Sequence, residues 1–497
     1  MHRYFRTDYL TTPLVRLAVL TAILPLMPAC VAVGPDYQMP VVLTPSKWNS
    51  KVSAATPRLG DWWKNLDDPV LNQLIADGIA ISPNVATAKA RVRKARANYA
   101  SAGGIFYPSL DGSGSYTRSG ASSGSNLVFK AQWELDLFGA NRRGAEAAYY
   151  SMEAASEQLR GALVTFIGDI ATNYAQVRGV QANIAIAKRS AASQRQTVEL
   201  TRAQLEAGHV SQVDLLRAET QAASTEARIP SQRITYAKYL NTLSVLTGRS
   251  SSALSAMLDK TRPIPSVPRR ISVGLPAGVL ANRPDIRAAE REYASSTAGV
   301  GQKQAALYPS ISLSGNINAD GTDFGDLALR STIGWSFGPS LSVPIFQGGK
   351  LNAAVDVARA TRDQSFIAYR KAVLTALSEV EDTSVSLNQN RLRVAQLRKI
   401  MSNSWKINEL TLSQYKAGKK SFIDVLTAQR DLFDAETSLA EARTDLVTNY
   451  VALHKALGGG WNGRDDVSEP EVIDSYTGPH FVRPTIPASP ASEQRPL

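Results

Sequence analysis

Two stretches of the chain carry the same seven-residue apolar repeat, and they copy each other. In the first, Leu163, Ile170, Val177, Ile184, Ala191, Val198 and Leu205 stand seven apart. In the second the series is Val373, Val380, Leu387, Val394, Met401, Asn408 and Tyr415. Each then meets an Ala-Gly pair, at Gly208 and Gly418, and resumes beyond a Ser, as Leu215, Ala222, Ile229, Tyr236 and Leu243, and as Val425, Leu432, Leu439, Leu446 and Leu453. A sustained heptad keeps one seam against a partner helix. A glycine followed by a helix-opening Ser predicts a tight return between two antiparallel helices. Matches at Leu200/Leu410, Gln204/Gln414, Gly208/Gly418, Ser211/Ser421 and Asp214/Asp424 make the two stretches an internal duplication. No proline interrupts 141–229 or 346–468. The helix expected over 142–207 is therefore about 100 Å long at ~1.5 Å per residue, a strut rather than part of a globule.

A second period precedes each strut. Over 127–138, Leu127, Phe129, Ala131, Trp133, Leu135 and Leu137 alternate with Val128, Lys130, Gln132, Glu134 and Asp136. The corresponding stretch of the second half sets Ile333, Trp335, Phe337, Leu341, Val343 and Ile345 against Gly and Ser. A period of two predicts strands with one apolar and one polar face. Earlier strands start after Tyr107-Pro108 and Tyr308-Pro309, with loops expected over 118–125 and 319–326. Strands of this length, rimmed by Trp, Tyr and Phe, are similar to those of outer-membrane barrels. Four cannot close a pore, since the smallest such barrels need about eight. Open edges are not tolerated in lipid. Other copies of the chain must complete the ring, and three copies give about twelve strands and a channel. Short helices are expected at 69–80 and 82–101, and an irregular connector at 248–278.

Composition narrows this further. The 497 residues include 55 basic and 43 acidic, a formal charge of +12. No dense Lys/Arg cluster interleaved with aromatics occurs, which leaves nucleic-acid binding without support. The basic, then apolar start, with Arg3, Arg6 and Arg16 ahead of 17–28, is too short and proline-broken to span a bilayer and reads as a signal peptide over 1–29. The only cysteine, Cys30, follows directly, where bacterial lipoproteins are cleaved and acylated, so it is the expected lipidation site.

Catalysis finds little footing. Gly120-Ala121-Ser122-Ser123-Gly124 satisfies G-x-S-x-G but lies between two strands, whereas the hydrolase elbow needs a strand and then a helix. No metal motif occurs. Met39, Met152, Met257 and Met401 do not cluster, so no soft-metal relay is expected. The chain is expected to be no enzyme, with no cofactor beyond a covalent lipid on Cys30.

In order along the chain, VGPDYQ after the cysteine, DWWKNLDDPVLNQLI, NRPDIRAAE at 282–290, the two YPS strand starts, the two AG turns and ALGGGW at 456–461 resemble the TolC-like outer-membrane factor family, in its efflux lipoprotein (NodT/OprM-like) branch. The resemblance covers essentially the whole mature chain. It implies a mainly α fold with a small membrane β part: a homotrimer whose twelve strands form a transmembrane β-barrel, continuous with an α-barrel of twelve helices. The implied organisation is a leader 1–29 and a lipidated extended segment 30–60. A first repeat follows over 61–247, with β-hairpin 107–139 and helical hairpin 141–247. An equatorial connector over 248–281 leads to a second repeat over 282–457, with β-hairpin 308–346 and helical hairpin 349–457. An equatorial and disordered tail closes the chain over 458–497. The implied function is the exit duct of a tripartite efflux system for toxic small compounds or drugs. It takes cargo from a periplasmic adaptor and an inner-membrane pump, RND in type, in a Gram-negative outer membrane. Metal-ion efflux and type I protein secretion are the alternatives within transport, and a lipid-anchored coiled-coil scaffold is the alternative outside it. The resemblance further implies that the AG turns at Gly208 and Gly418 form the closed periplasmic tip, with Asp424 in a constricting acidic ring. Tyr415 and Lys420 would tie the inner hairpin to its neighbours, with Lys419 at the same gate, and Asp214 would be the acidic partner in the outer hairpin, as in an Asp214–Lys420 pair. Thr427 stands where some members have a second Asp, so a less acidic constriction is expected.

Overall fold

The computed structural model describes residues 32–41, 44–50, 53–120, 122–328, 333–463 and 466–468. The expected signal peptide, Cys30 and most of the tail lie outside the described residues.

The chain is built twice over from a short helix, two strands and a long helical hairpin. After a 3-10 turn at Trp62–Leu66 come α1 (Pro69–Ile81), α2 (Pro83–Gly104), β1 (Ser109–Ser119), β2 (Ser122–Leu135), α3 (Ala140–Glu206) and α4 (Gln212–Thr247). Two short helices follow, α5 (Ser251–Leu258) and α6 (Pro276–Asn282). The second half has α7 (Pro284–Ala305), β3 (Ser310–Gly321), a 3-10 turn at Phe324–Ala328, β4 (Ile333–Ser342), α8 (Lys350–Lys416) and α9 (Phe422–Ala456). The struts α3 and α8 are each 67 residues long, which is about 100 Å of helix. Their heptad seams are inside: Leu163, Ile170 and Val177 are fully buried in α3, and Val373, Val380 and Leu387 are buried in α8. Pro230 lies inside α4 without ending it.

The four strands form one antiparallel sheet in the order β1-β2-β3-β4. Its register gathers all but one of the large apolar residues on one face, Val128 lying on the other beside Ser113 and Asn318. Leu110 pairs with Ala131, Phe129 with Ile317, Trp133 with Leu313, and Ile317 with Trp335. Asp111, Lys130, Asn316 and Ser336 meet across the other face. Glycines on the apolar face sit beneath aromatic rings: a Cβ on Gly112 would come within 3.1 Å of Phe129, and one on Gly315 within 3.2 Å of Phe337. Phe129, Trp133, Trp335 and Phe337 are exposed, and among the described residues nothing covers them. Among the described residues no helix is long and apolar enough to cross a membrane.

Three expectations need correction. The Gly/Ser-rich run 118–125 is not a loop: β1 continues to Ser119 and β2 starts at Ser122, because Ser125 pairs with Gly321 of β3. Pairing across the β1–β2 ladder, and with β3 from Ser125 onward, overrides the poor strand propensity of Gly and Ser. The loop expected from 319 begins later, as Ala319 and Asp320 pair with Leu127 and Asn126. The connector is not wholly irregular, since Ser250 caps α5 through the Ala253 N–H and buries Leu254 and Leu258.

At mid-length the two halves share one core, with Trp62, Leu71, Leu74, Ile167, Ile170, Tyr174, Tyr450 and Leu453 all buried. Arg178 of α3 is fully buried there and donates to Tyr174 Oη at 3.0 Å, Gln181 Oε1 at 2.7 Å and the Lys260 carbonyl at 3.0 Å. That network ties the connector to the strut. His454 stacks on Trp62 with ring centroids 5.0 Å apart, and its burial lowers its pKa to about 3.

Candidate functional site

Both struts end in the same way, and the reason is local. Ala207 closes α3, Gly208 follows at φ +77°, and the chain bonds back from Gly208 N to Leu205 O at 2.9 Å and from His209 N to Gln204 O at 2.8 Å. Gly418, at φ +71°, repeats this with Tyr415 O at 2.9 Å and, from Lys419 N, Gln414 O at 2.8 Å. These paired bonds are the Schellman arrangement, and its left-handed residue is the reason for glycine. The returning helix then opens on a capping box. Ser211 Oγ and N–H donate to Asp214 Oδ2 at 2.7 and 3.1 Å, while Asp214 N–H donates to Ser211 Oγ at 3.3 Å. Ser421 and Asp424 repeat it at 2.7, 3.0 and 3.4 Å.

This geometry changes the reading of the two aspartates. The Ser hydroxyl, then the Ser backbone N–H, hold each carboxyl below its ordinary pKa. Asp424 is therefore anchored to its own helix start and is already compensated within the chain. The expected Asp214–Lys420 pair does not form within the protomer: among the described residues, Asp214 meets Arg217 at 3.9 Å instead. A partner three residues away on the same turn outcompetes one on the other hairpin. The spacing S-x-x-D already signals this box.

Tyr415 does link the hairpins. Its ring is buried and lies 5.8 Å from that of Phe422. Its hydroxyl donates to Gln204 Oε1 of the first hairpin. Burial raises its pKa. Val198, Leu215, Phe422 and Val425 complete this small core at the tip. A second tie lies two turns up, where Gln429 Nε2 donates to Thr197 Oγ1 at 2.8 Å in buried surroundings. Gln204 was visible in the duplication, whereas Thr197 and Gln429 had no separate signal.

The structure brings Gly208, Asp214, Tyr415, Gly418 and Lys420 around one open cleft of about 800 Å³ at the tip. Lys419 is exposed beside it. Thr427 lies apart, in a neighbouring cleft of about 460 Å³ between α4 and α9, with Leu216, Ile423 and Arg430. At the opposite end, the G-x-S-x-G run straddles the β1–β2 junction, with Gly120 at φ +58° and Ser122–Gly124 already in β2. That is strand-turn-strand, not a nucleophile elbow.

Comparison with known proteins bears on both ends. The family model described as outer membrane efflux protein matches residues 74–249 and 275–459. Nodulation protein T of Rhizobium leguminosarum bv. trifolii is 34% identical over 449 residues, 88% of this chain and 96% of that protein. The solvent efflux pump outer membrane protein SrpC of Pseudomonas putida is 30% identical over 452 residues, 86% of this chain and 95% of that one. Among solved structures, the outer-membrane channel OprN superposes with a TM-score of 0.79 at 30% identity, covering 86% of this chain and 99% of that one.

Proposed function

The chain belongs to the outer membrane efflux protein family, and on that premise we propose that it is the exit duct of a tripartite efflux system, conducting toxic small compounds across the outer membrane. One observation carries the reading. A four-stranded sheet with one mainly apolar face and, among the described residues, two unpaired edges, β1 and β4, stands at the end of helices about 100 Å long. Such a sheet needs neighbours in lipid. Three copies supply twelve strands around a channel and, from α3, α4, α8 and α9, twelve helices around its continuation.

The cargo reaches the duct from an inner-membrane pump of the RND type through a periplasmic adaptor that meets the hairpin tips. A lipid on Cys30 adds a membrane anchor. What supports this is the position of Ala32, two residues on and so within about 7 Å of chain. A Cβ on Gly139, where the strands give way to α3, would come within 2.6 Å of Ala32, and Val33 N–H donates to Phe138 O at 3.0 Å. That junction is the periplasmic boundary of the membrane in this reading.

At the tip, Asp424, Lys419, Lys420 and Tyr415 narrow the duct in the assembled trimer, with Asp214 facing a neighbouring copy. Single-channel recording tests it. Asp424→Ala and Lys420→Ala raise or reshape conductance, and wild-type traces from both variants would remove the gate from the tip. A lipid-anchored scaffold accounts for the heptads but leaves the apolar sheet face without a purpose.

A further inference from the structure

A pocket of about 280 Å³ opens at mid-length between the connector after α5, Ser53 and the seam of α8 with α9. Arg269, Arg270 and Arg391 line it, together with Ser384 and Asn388, and among the described residues no acidic one does. Arg391 is fixed by a 2.7 Å hydrogen bond from Nη2 to the Pro268 carbonyl. Burial lowers its pKa, with no carboxylate acting against that shift. Ser384 is 2% exposed, and its Oγ has no hydrogen-bond partner among the described residues. A buried hydroxyl left unpaired is costly, and it calls for an explanation such as an absent ligand. Planar guanidiniums beside a hydroxyl and an amide donor suit the oxygens of a carboxylate or phosphate.

We propose that this pocket binds one small oxyanion, held by Arg269, Arg270 and Arg391 and completed by Ser384 Oγ. Two sources carry that chemistry. One is free inorganic phosphate or a free carboxylate; the other is a peptide carboxylate fixed on the cell-wall polymer through which a periplasmic stalk passes. The site stands apart from the channel reading, and only the polymer source rests on it.

Calorimetric titration of the purified full-length protein with phosphate, acetate and D-alanyl-D-alanine tests the site. At least one anion binds, and its affinity falls about tenfold or more in Arg391→Gln and in the exposed pair Arg269→Gln/Arg270→Gln, since hydrogen bonds to charged groups are worth about that factor. Ser384→Ala weakens it less, and the charge-matched Lys238→Gln leaves it unchanged. Absence of binding by all three anions, or equal binding by wild type and both arginine variants, overturns the proposal. Co-sedimentation with isolated sacculi, lost in the same variants, identifies the polymer as the source; anion binding without co-sedimentation identifies the free ion. Bilayer conductance of the variants matches wild type, so failure here leaves the duct untouched.

Discussion

The struts α3 and α8 match in length, in seam and in the turn that ends them, yet they live in different surroundings. The offset of 210 that joins Leu200 to Leu410 sets Leu374 against Val164, Val385 against Ala175 and Leu392 against Ala182. In α3, Val164 and Ala175 are buried; in α8, Leu374, Val385 and Leu392 are 63%, 48% and 62% exposed. Around α3 pack α1, α2, α4, α7 and α9, whereas α8 meets α6, α7 and α9. Ile367, Leu374, Val385, Leu392 and Leu410 recur at steps that keep them on one stripe. That stripe lies away from the buried seam of Val373, Val380 and Leu387. The second half thus carries larger apolar residues at positions where the first carries Val or Ala, and α8 leaves them exposed in the protomer.

The sharpest way to break this contrast is to charge that stripe. Leu374→Asp with Leu392→Asp should abolish the trimer, because unpaired carboxylates buried at each interface cost several kcal/mol. Light scattering should report a monomer whose circular dichroism stays helical. A trimer of unchanged mass would mean that the stripe faces something else. Next in size is truncation within the covered strut. Leu163→Ala should cost about 2–5 kcal/mol in denaturant unfolding, whereas Leu374→Ala should shift the unfolding of a separated monomer by less than about 0.5 kcal/mol. Equal costs would erase the distinction between the two helices.

A smaller effect tests the core where the halves join. His454 is neutral in the fold, with a pKa near 3, against an ordinary 6.5. The unfolded chain therefore binds the extra proton, and stability falls as pH drops below about 6.5, levelling near 3. Between pH 7 and 5 the loss should be roughly 2 kcal/mol. His454→Phe, which keeps a ring on Trp62, should flatten that slope; an unchanged slope would assign acid sensitivity elsewhere.

Much of this architecture is legible in residues alone. The heptads name the seams of both struts, and the alternation from Leu127 to Leu135 names the apolar sheet face. What escapes is what depends on neighbours. Ser122 to Ser125 are strand because β1 pairs with all four and β3 with Ser125, not because of their own preference. Leu254 and Leu258 stand four apart, a helical signal hidden among serines and prolines. Nothing in a period of seven tells α3 from α8, since the seam they share is the same and the difference lies in the residues and the cover of their outer faces. At the tip, the resemblance draws Asp214 and Asp424 toward a gate, whereas S-x-x-D spacing makes each of them first a helix cap.

The smallest effect separates those two roles. If the boxes act alike, Ser211→Ala and Ser421→Ala should each remove one cap, worth about 1 kcal/mol at Ser211. Amide exchange at the start of α4 or α9 should then rise about fivefold, by the same factor at both tips. Conductance should distinguish what exchange does not. Ser211 and Asp214 belong to the tip whose aspartate meets Arg217, while the pKa of Asp424, held down first by Ser421, is lowered further by the charge of Lys420. Charge at the narrow point should therefore change only with Asp424→Ala. Ser421→Ala keeps that charge and should loosen the helix start while altering conductance less. Equal conductance changes from Ser421→Ala and Asp424→Ala would mean that the cap, and not the carboxylate's charge, holds the tip closed.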